Sequence, residues 1–348
     1  MKTLSIFVWL ISGALLFTSA CGSPESGRDE GAGVETERMP SASGAGTILR
    51  LDPRFDALVP AGAIIEKVAD GFVFLEGPVW IREESRLLFS DLRSNAIVQW
   101  TEADSASWFI ETVFEGNMDG RGSVGSNGLT RDSEVRLLLA EHGRRQVTRI
   151  ENDGSHTVLA DSYEGRRLNS PNDLVYRSDG WLYFTDPPYG LGEGDQSPLK
   201  ELDFNGIYRL SPGGDLELLY SDQSRPNGLA FSPDETTLYV ANSDASEAVW
   251  MAYDVSEEGL ANARVLLDVT GHPDTGGADG LKVDSQGHIF ATGPGGVWVI
   301  APDGTHLGTI QPDEVPANVG WGEDGRTLYM TAQGGLYRIR LTTEGAIP

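Results

Sequence analysis

From Arg50 to about Leu341 the chain alternates short apolar runs with clusters of Gly, Pro, Asn, Asp and Ser. The apolar positions follow no period near 3.6, so helices are not the repeating element. Runs such as Leu137 to Ala140, Leu182 to Thr185, Leu238 to Ala241 and Leu328 to Thr331 have the length of strands and are bounded by turn residues. The clearest unit spans Ser170 to Gly190. Asn172 and Asp173 open it and an apolar run comes next. Ser178-Asp179-Gly180 then supplies a hairpin turn, and Trp181 to Phe184 returns to Asp186.

The same unit recurs. Its openings read Glu76-Gly77-Pro78, Asn127-Gly128-Leu129, Asn172-Asp173-Leu174, Asn227-Gly228-Leu229, Asp279-Gly280-Leu281 and Asn318-Val319-Gly320. The spacing is roughly 40 to 55 residues with four strand candidates per unit, which is the signature of propeller blades. The pattern therefore predicts an all-β, six-bladed β-propeller over residues 59–345. The sixth unit runs out of chain after its third strand, near Leu341, and Ala63 to Val68 reads as the missing one. An N-terminal strand joining the last blade would close the ring and remove its open sheet edges. A β-sandwich would not explain the recurrent openings.

The start of the chain has a different pattern. Met1-Lys2-Thr3, an apolar core through Phe17 and the small residues Ser19-Ala20 read as a signal peptide over residues 1–20. Cys21 comes immediately after and resembles the lipid-modified cysteine of bacterial lipoproteins, with Thr18 where that pattern has Leu. Residues 21–58 read as a tether, Gly-, Ser-, Glu- and Ala-rich up to Gly46. The expectation is an exported protein, either a cell-envelope lipoprotein or periplasmic, touching a membrane only through an anchor on Cys21.

Charge and cysteine content narrow the chemistry. Asp+Glu number 52 against Lys+Arg 26, a formal net charge of −26 that disfavours nucleic acid and anionic lipid as partners. Gly 43 and Pro 18 suit many tight turns. The one cysteine excludes a disulfide within the chain and a Cys-based zinc site. No Gly-x-Ser-x-Gly elbow and no Gly-rich phosphate loop occurs. His156, His272, His288 and His306 fall in turns or outer strands and read as surface.

In a propeller the first strand of each blade faces the central channel, so equivalent opening residues converge at one end of the axis. Here these are Glu76, Asn127, Asn172, Asn227, Asp279 and Asn318. Two carboxylates among amides offer only oxygen donors, which suit Ca²⁺ or Mg²⁺ more than Zn²⁺. Two carboxylates also nearly neutralise one divalent ion. The competing reading is that Asn and Asp are simply turn residues. His142 ends a blade-two strand near the expected mouth and is a candidate for substrate hydroxyls, or else structural. Asp186 and Tyr189 are placed alike, with Asp186 alternatively capping a turn.

Leu75-Glu76-Gly77-Pro78-Val79-Trp80, Ser170-Pro171-Asn172-Asp173, Pro226-Asn227-Gly228-Leu229 and Ala278-Asp279-Gly280-Leu281 resemble the SMP-30/gluconolactonase/LRE family. Glu141-His142-Gly143-Arg144-Arg145 and Phe184 through Gly190 resemble its bacterial gluconolactonase branch. The likeness covers about residues 60 to 342. It implies one catalytic divalent cation in the channel, calcium first and Mg²⁺ or Zn²⁺ as alternatives. By motif its ligands would be Glu76, Asn172, Asn227 and Asp279, with Asn127 and Asn318 lining the channel.

The resemblance further implies hydrolysis of a lactone, such as a sugar lactone; the expectation for the oligomeric state is a monomer. Asp279 is the first candidate for general base, and Asp173, beside Asn172, is the second. Two other readings stand beside this one. The same propeller and metal site could act on a different ester such as an organophosphate, or the propeller could be a binding protein riveted by calcium.

Overall fold

The structure is a computed structural model that describes residues 44–347. The chain divides into two units, residues 1–40 and 41–348, and the described residues all belong to the second. The segment read as a signal peptide and Cys21 lie outside the described residues. Among the described residues no helix is long and apolar enough to cross a membrane.

Six antiparallel sheets form the blades of a propeller, and each begins at one of the recurrent openings. The innermost strands are Leu75–Ile81, Ser126–Arg131, Leu174–Tyr176, Pro226–Phe231, Leu281–Val283 and Pro316–Gly322. Leu75–Ile81, Pro226–Phe231 and Pro316–Gly322 are buried along their whole length. That is why these segments, apart from Glu76, Asn227 and Asn318, read as apolar or small residues instead of half-polar alternation. Apolar side chains lock neighbouring blades together. Val79, Leu88 and Ile97 of blade one pack with Leu129 and Leu139 of blade two, and Tyr183 and Ile207 of blade three with Leu229 and Val240 of blade four. Each such side chain removed from water contributes about 1.5–3 kcal/mol.

The ring closes as the truncated sixth unit requires. Ile65–Ala69 pairs antiparallel with Gly335–Arg340, Ile65 opposite Ile339 and Lys67 opposite Tyr337. Lys67 Nζ reaches Glu314 at 2.8 Å and Arg338 Nε reaches Glu66 at 2.7 Å, tying the incoming strand to blade six.

The structure departs from the tether reading over residues 46–58. Gly46–Arg50 adds a fifth strand to the outer edge of blade five, pairing with His306–Pro312. Phe55–Leu58 then forms one helical turn whose Phe55 and Leu58 are buried among Leu307, Ile310, Ile339 and Leu341. Arg50 donates to the carbonyls of Val59 and Pro60 at 2.9 and 2.7 Å, which bends the strap towards blade six. The sequence hid this because the anchoring side chains are few, Ile48, Phe55 and Leu58, and have no strand period. His288 and His306, read as surface, are half-buried: His288 pairs with Asp284 at 3.0 Å and His306 stacks on Trp298 at 3.8 Å.

Candidate active site

The openings owe their direction to slips in the strand ladder. Between the first and second strands of blades one, two and four the register shifts at Glu76/Val79, Ser126/Leu129 and Pro226/Leu229. A bulge of this kind turns a side chain out of the two-residue alternation. It aims Glu76, Asn127 and Asn227 at the axis. In blades three and five the inner strand starts later, at Leu174 and Leu281, and the opening residue two places earlier is held by its own backbone. Asn172 N–H donates to Thr185 O at 2.8 Å and Asp279 N–H to Thr292 O at 3.1 Å.

The residue after each opening residue explains the recurrent glycine. A Cβ on Gly77 would lie 2.2 Å from Asn127 O, and one on Gly228 would lie 2.5 Å from Asp279 O. Each glycine thus lets one blade's opening nest against the next. Blades three and six break the rule. Asp173 stands in the glycine position of blade three.

Blade six corrects the sequence register by one residue. Gly280 N–H donates to Ala317 O as Gly128 N–H donates to Asn172 O, so Ala317 occupies the opening position and Asn318 the glycine position. The ladder agrees, since Pro316 pairs with Ala332 and Pro226 with Asn242 before each slip. The shared proline was the available signal: Pro316-Ala317-Asn318-Val319 matches Pro226-Asn227-Gly228-Leu229.

Asp173 and Asn318 come from opposite blades and meet in the channel, Asn318 Nδ2 donating to Asp173 Oδ2 at 3.5 Å. The same amide donates to Glu76 Oε2 at 3.2 Å. Lys282 approaches from the far side with Nζ 3.6 Å from Asp173 Oδ2. Lys282 also lines a cavity of about 1130 Å³, with Arg82, Arg177 and Trp321, where the inner strands end. That cavity lies at the opposite end of the channel from the opening residues, and none of them lines it.

Burial dominates the electrostatics. Glu76 is held well above the usual carboxylate range by burial first, then by the charges of Asp279 and Asp173. Asp279 is pushed up to about 7 by burial and by Asp173, against a hydrogen bond with Asn227 that pulls it down. The axis therefore concentrates three acids, with Lys282 the ammonium group beside Asp173. Among the described residues no three of His, Cys, Asp or Glu gather into a preassembled metal cluster. The axial donor set is instead mixed, acids with amides.

Around the mouth the predicted residues separate. Tyr189 exposes its ring, and its hydroxyl contacts Ser243 Oγ at 2.5 Å. Ser243 in turn accepts from Asn227 Nδ2 at 3.1 Å, so Tyr189 is linked to the axis through one hydroxyl. Burial pushes the Tyr189 phenol up to about 12, with the Asp279 charge adding to it. Asn127 and His142 lie together and buried, Asn127 Nδ2 3.5 Å from His142 Nε2. Burial alone drives the His142 imidazole down to about 3, so it is neutral.

Asp186 is different. It is fully buried, and its two oxygens accept Asn169 N–H and Ser170 N–H at 2.7 Å each. The turn-capping alternative describes it, and the substrate-contact reading does not. Burial raises Asp186 to about 7 despite those two bonds. Arg145 completes the brace, donating to the carbonyls of Leu168 and Leu199 at 2.7 Å each.

Sequence reasoning overlooked Ser123, Ser243, Lys282 and the bracing role of Arg145. Only Lys282 carried a signal, since alternation from Leu281 turns it to the channel side of its strand. The two serines come from loops whose course no periodicity records.

A β-propeller with acids and amides gathered at one end of its axis defines a class of proteins with a polar, channel-mouth active site. The chain matches the SMP-30/Gluconolactonase/LRE-like region over residues 74–334 and belongs to that family. It is similar to a gluconolactonase of Zymomonas mobilis, 39% identical over 317 residues, covering 88% of this chain and 89% of the relative. A pentonolactonase of Haloferax volcanii is 29% identical over 269 residues, covering 75% and 81%. Among solved structures, a gluconolactonase of Xanthomonas campestris is similar with a TM-score of 0.75 and 31% identity, covering 87% of this chain and 99% of that one.

Proposed function

We propose that the protein is a lactonase, a carboxylic-ester hydrolase that opens a sugar lactone such as gluconolactone and uses one divalent cation at the axis. The observation that carries this reading is the meeting of Glu76 and Asp279 at the axis, Glu76 buried and Asp279 half-buried, each raised by desolvation and negative neighbours. Such a pair is uncompensated charge that a cation would relieve. The relatives that cover most of the chain are a gluconolactonase and a pentonolactonase, which supports a sugar lactone as substrate.

The donor set fits a hard cation. Glu76, Asn172, Asn227 and Asp279 present oxygens, and the first three are at most 4% exposed. These residues would hold calcium, with magnesium or zinc as alternatives. When bound, the cation supplies Lewis acidity at the ester carbonyl.

The chain's own residues do the rest. Asp279, which stands at the axis beside Asp173, would take a proton from the attacking water and return it to the ring oxygen. Asp173, with Asn318 and Lys282 on its Oδ2, braces the floor of the channel and is the second candidate for that role. Tyr189 and Asn127 border the mouth, where they would meet substrate hydroxyls. Export and anchoring through Cys21 complete the proposal and rest on the leader sequence.

The test is acid release from D-glucono-1,5-lactone by the purified protein at neutral pH. A rate well above spontaneous hydrolysis is expected. A rate equal to the spontaneous one, with calcium, magnesium or zinc supplied, overturns the proposal.

A further inference from the structure

Asn127, placed above at the mouth, carries a loose end that shows which of its atoms would meet substrate. Its side-chain oxygen Oδ1 is buried and has no hydrogen-bond partner. The rest of the residue is engaged: its carbonyl accepts from Ser90 Oγ at 2.8 Å, and Nδ2 lies 3.5 Å from His142 Nε2. Buried polar atoms in folded proteins are normally paired, so an orphan at a channel mouth marks a place for a ligand atom.

The orientation of the Asn127 amide, with Nδ2 towards His142, leaves Oδ1 over and sets the tautomer that goes with it. His142 is fully buried, and Ser123 Oγ lies 2.9 Å from its Nδ1. A neutral imidazole has one donor nitrogen and one acceptor nitrogen. The amide nitrogen of Asn127 can only donate, so Nε2 accepts and Nδ1 carries the proton, donating to Ser123 Oγ. The tautomer and the amide orientation are thereby one choice. The opposite tautomer would swing the amide over and present an N–H₂ group to the channel. The loop that carries Tyr189 clamps the arrangement from above, since a Cβ on Gly190 would lie 2.8 Å from His142 Cβ.

We infer that Ser123 and His142 are positioning residues that hold Asn127 with its side-chain oxygen facing the channel, where it accepts a hydrogen bond from a hydroxyl of a polyhydroxylated lactone. This inference rests on the lactonase reading for its substrate and on the buried triad for its geometry. An acceptor fixed in this way distinguishes a sugar lactone from a bare lactone ring of the same size. A site built around a hydroxyl rejects the analogue that lacks it, because its own polar atom is left unpaired.

Two measurements on the full protein test it. In the first, histidine-selective ¹⁵N NMR reads the tautomer, with the His142→Phe variant assigning the signal. A neutral ring protonated on Nδ1 is expected, and a ring protonated on Nε2 overturns the inference. The second compares kcat/KM for D-glucono-1,5-lactone with that for δ-valerolactone, which has the ring without the hydroxyls. Asn127→Ala and His142→Phe should each lower this preference by about threefold to tenfold, the value of one hydrogen bond. The double variant should lower it no further, because both changes remove the same contact. Ser123→Ala should lower it by less. An active protein whose preference survives both single changes overturns the inference. A wild-type protein inactive on both lactones sinks the lactonase reading instead, and the tautomer then decides the geometry.

Discussion

Two groups of carboxylates in this acidic chain are driven by the fold in opposite directions. On the outside, Asp324 is pulled down to about 2, first by its hydrogen bonds with Arg340. Asp52 is lowered in the same way by Arg54. At the axis and beside the mouth, Glu76, Asp279 and Asp186 are raised, and burial is the first cause each time. Asp324 and Asp52 each have a guanidinium of their own. The buried ones are held with less positive charge than they need, which is the state a general base or a cation site requires.

The contrast between the two groups is most exposed at Asp279. Asp279→Asn keeps the size and the hydrogen-bonding oxygen but removes the proposed base, and acid release should fall by about 10²-fold or more while circular dichroism is unchanged. A variant that keeps both the rate and the bound cation would move the base to Asp173.

Asp186 carries the contrast into stability through pH. Its folded value, about 7, lies above the unfolded 3.8, so its contribution to stability is full below the unfolded value and is lost as pH rises through about 7. The difference amounts to at most about 4 kcal/mol on the scale of 1.36 kcal/mol per unit. Thermal unfolding of wild type and Asp186→Asn should therefore diverge steadily between pH 4 and 8, with wild type losing ground as pH rises. Parallel curves would contradict the raised value.

Asp324 runs the other way. Its value lies below 3.8, so its contribution is present above that pH and is lost as pH falls through about 2. The pair is largely exposed, and Arg340→Ala should cost no more than about 0.5 kcal/mol at neutral pH in chemical denaturation. A loss several times larger would mean that the surface pairs carry more of the fold than their exposure allows.

The architecture was legible because each blade repeats one pattern, and six copies fix strand order even where a single copy is ambiguous. The strand at Ile65–Ala69 was legible for a different reason: a ring cannot leave its last blade incomplete. The axial acids followed from their matched positions. What stayed hidden depended on contacts without periodicity. Asn318 was read one place out of register because an Asn at the glycine position imitates an Asn at the opening, and only Pro316 tells them apart. Asp186 looked like Tyr189 in sequence, yet one turns inward to two backbone N–H groups and the other outward to the mouth. Ser243 and Ser123 were beyond reach, since a serine in a loop announces nothing until the loop's path is known. The strap at residues 46–58 was missed because its hold on blade five comes from backbone pairing, which composition does not encode.

Everything proposed for the axis turns on whether the paired acids bind one divalent cation that hydrolysis requires. The decisive measurement strips the protein with chelator, titrates calcium back and follows heat of binding and acid release from gluconolactone together. One binding equivalent is expected, with a rate that rises with its occupancy and loss of both in Glu76→Gln. A stripped protein that hydrolyses the lactone at the full rate, or a Glu76→Gln variant that binds and works as wild type does, would contradict the cation's role.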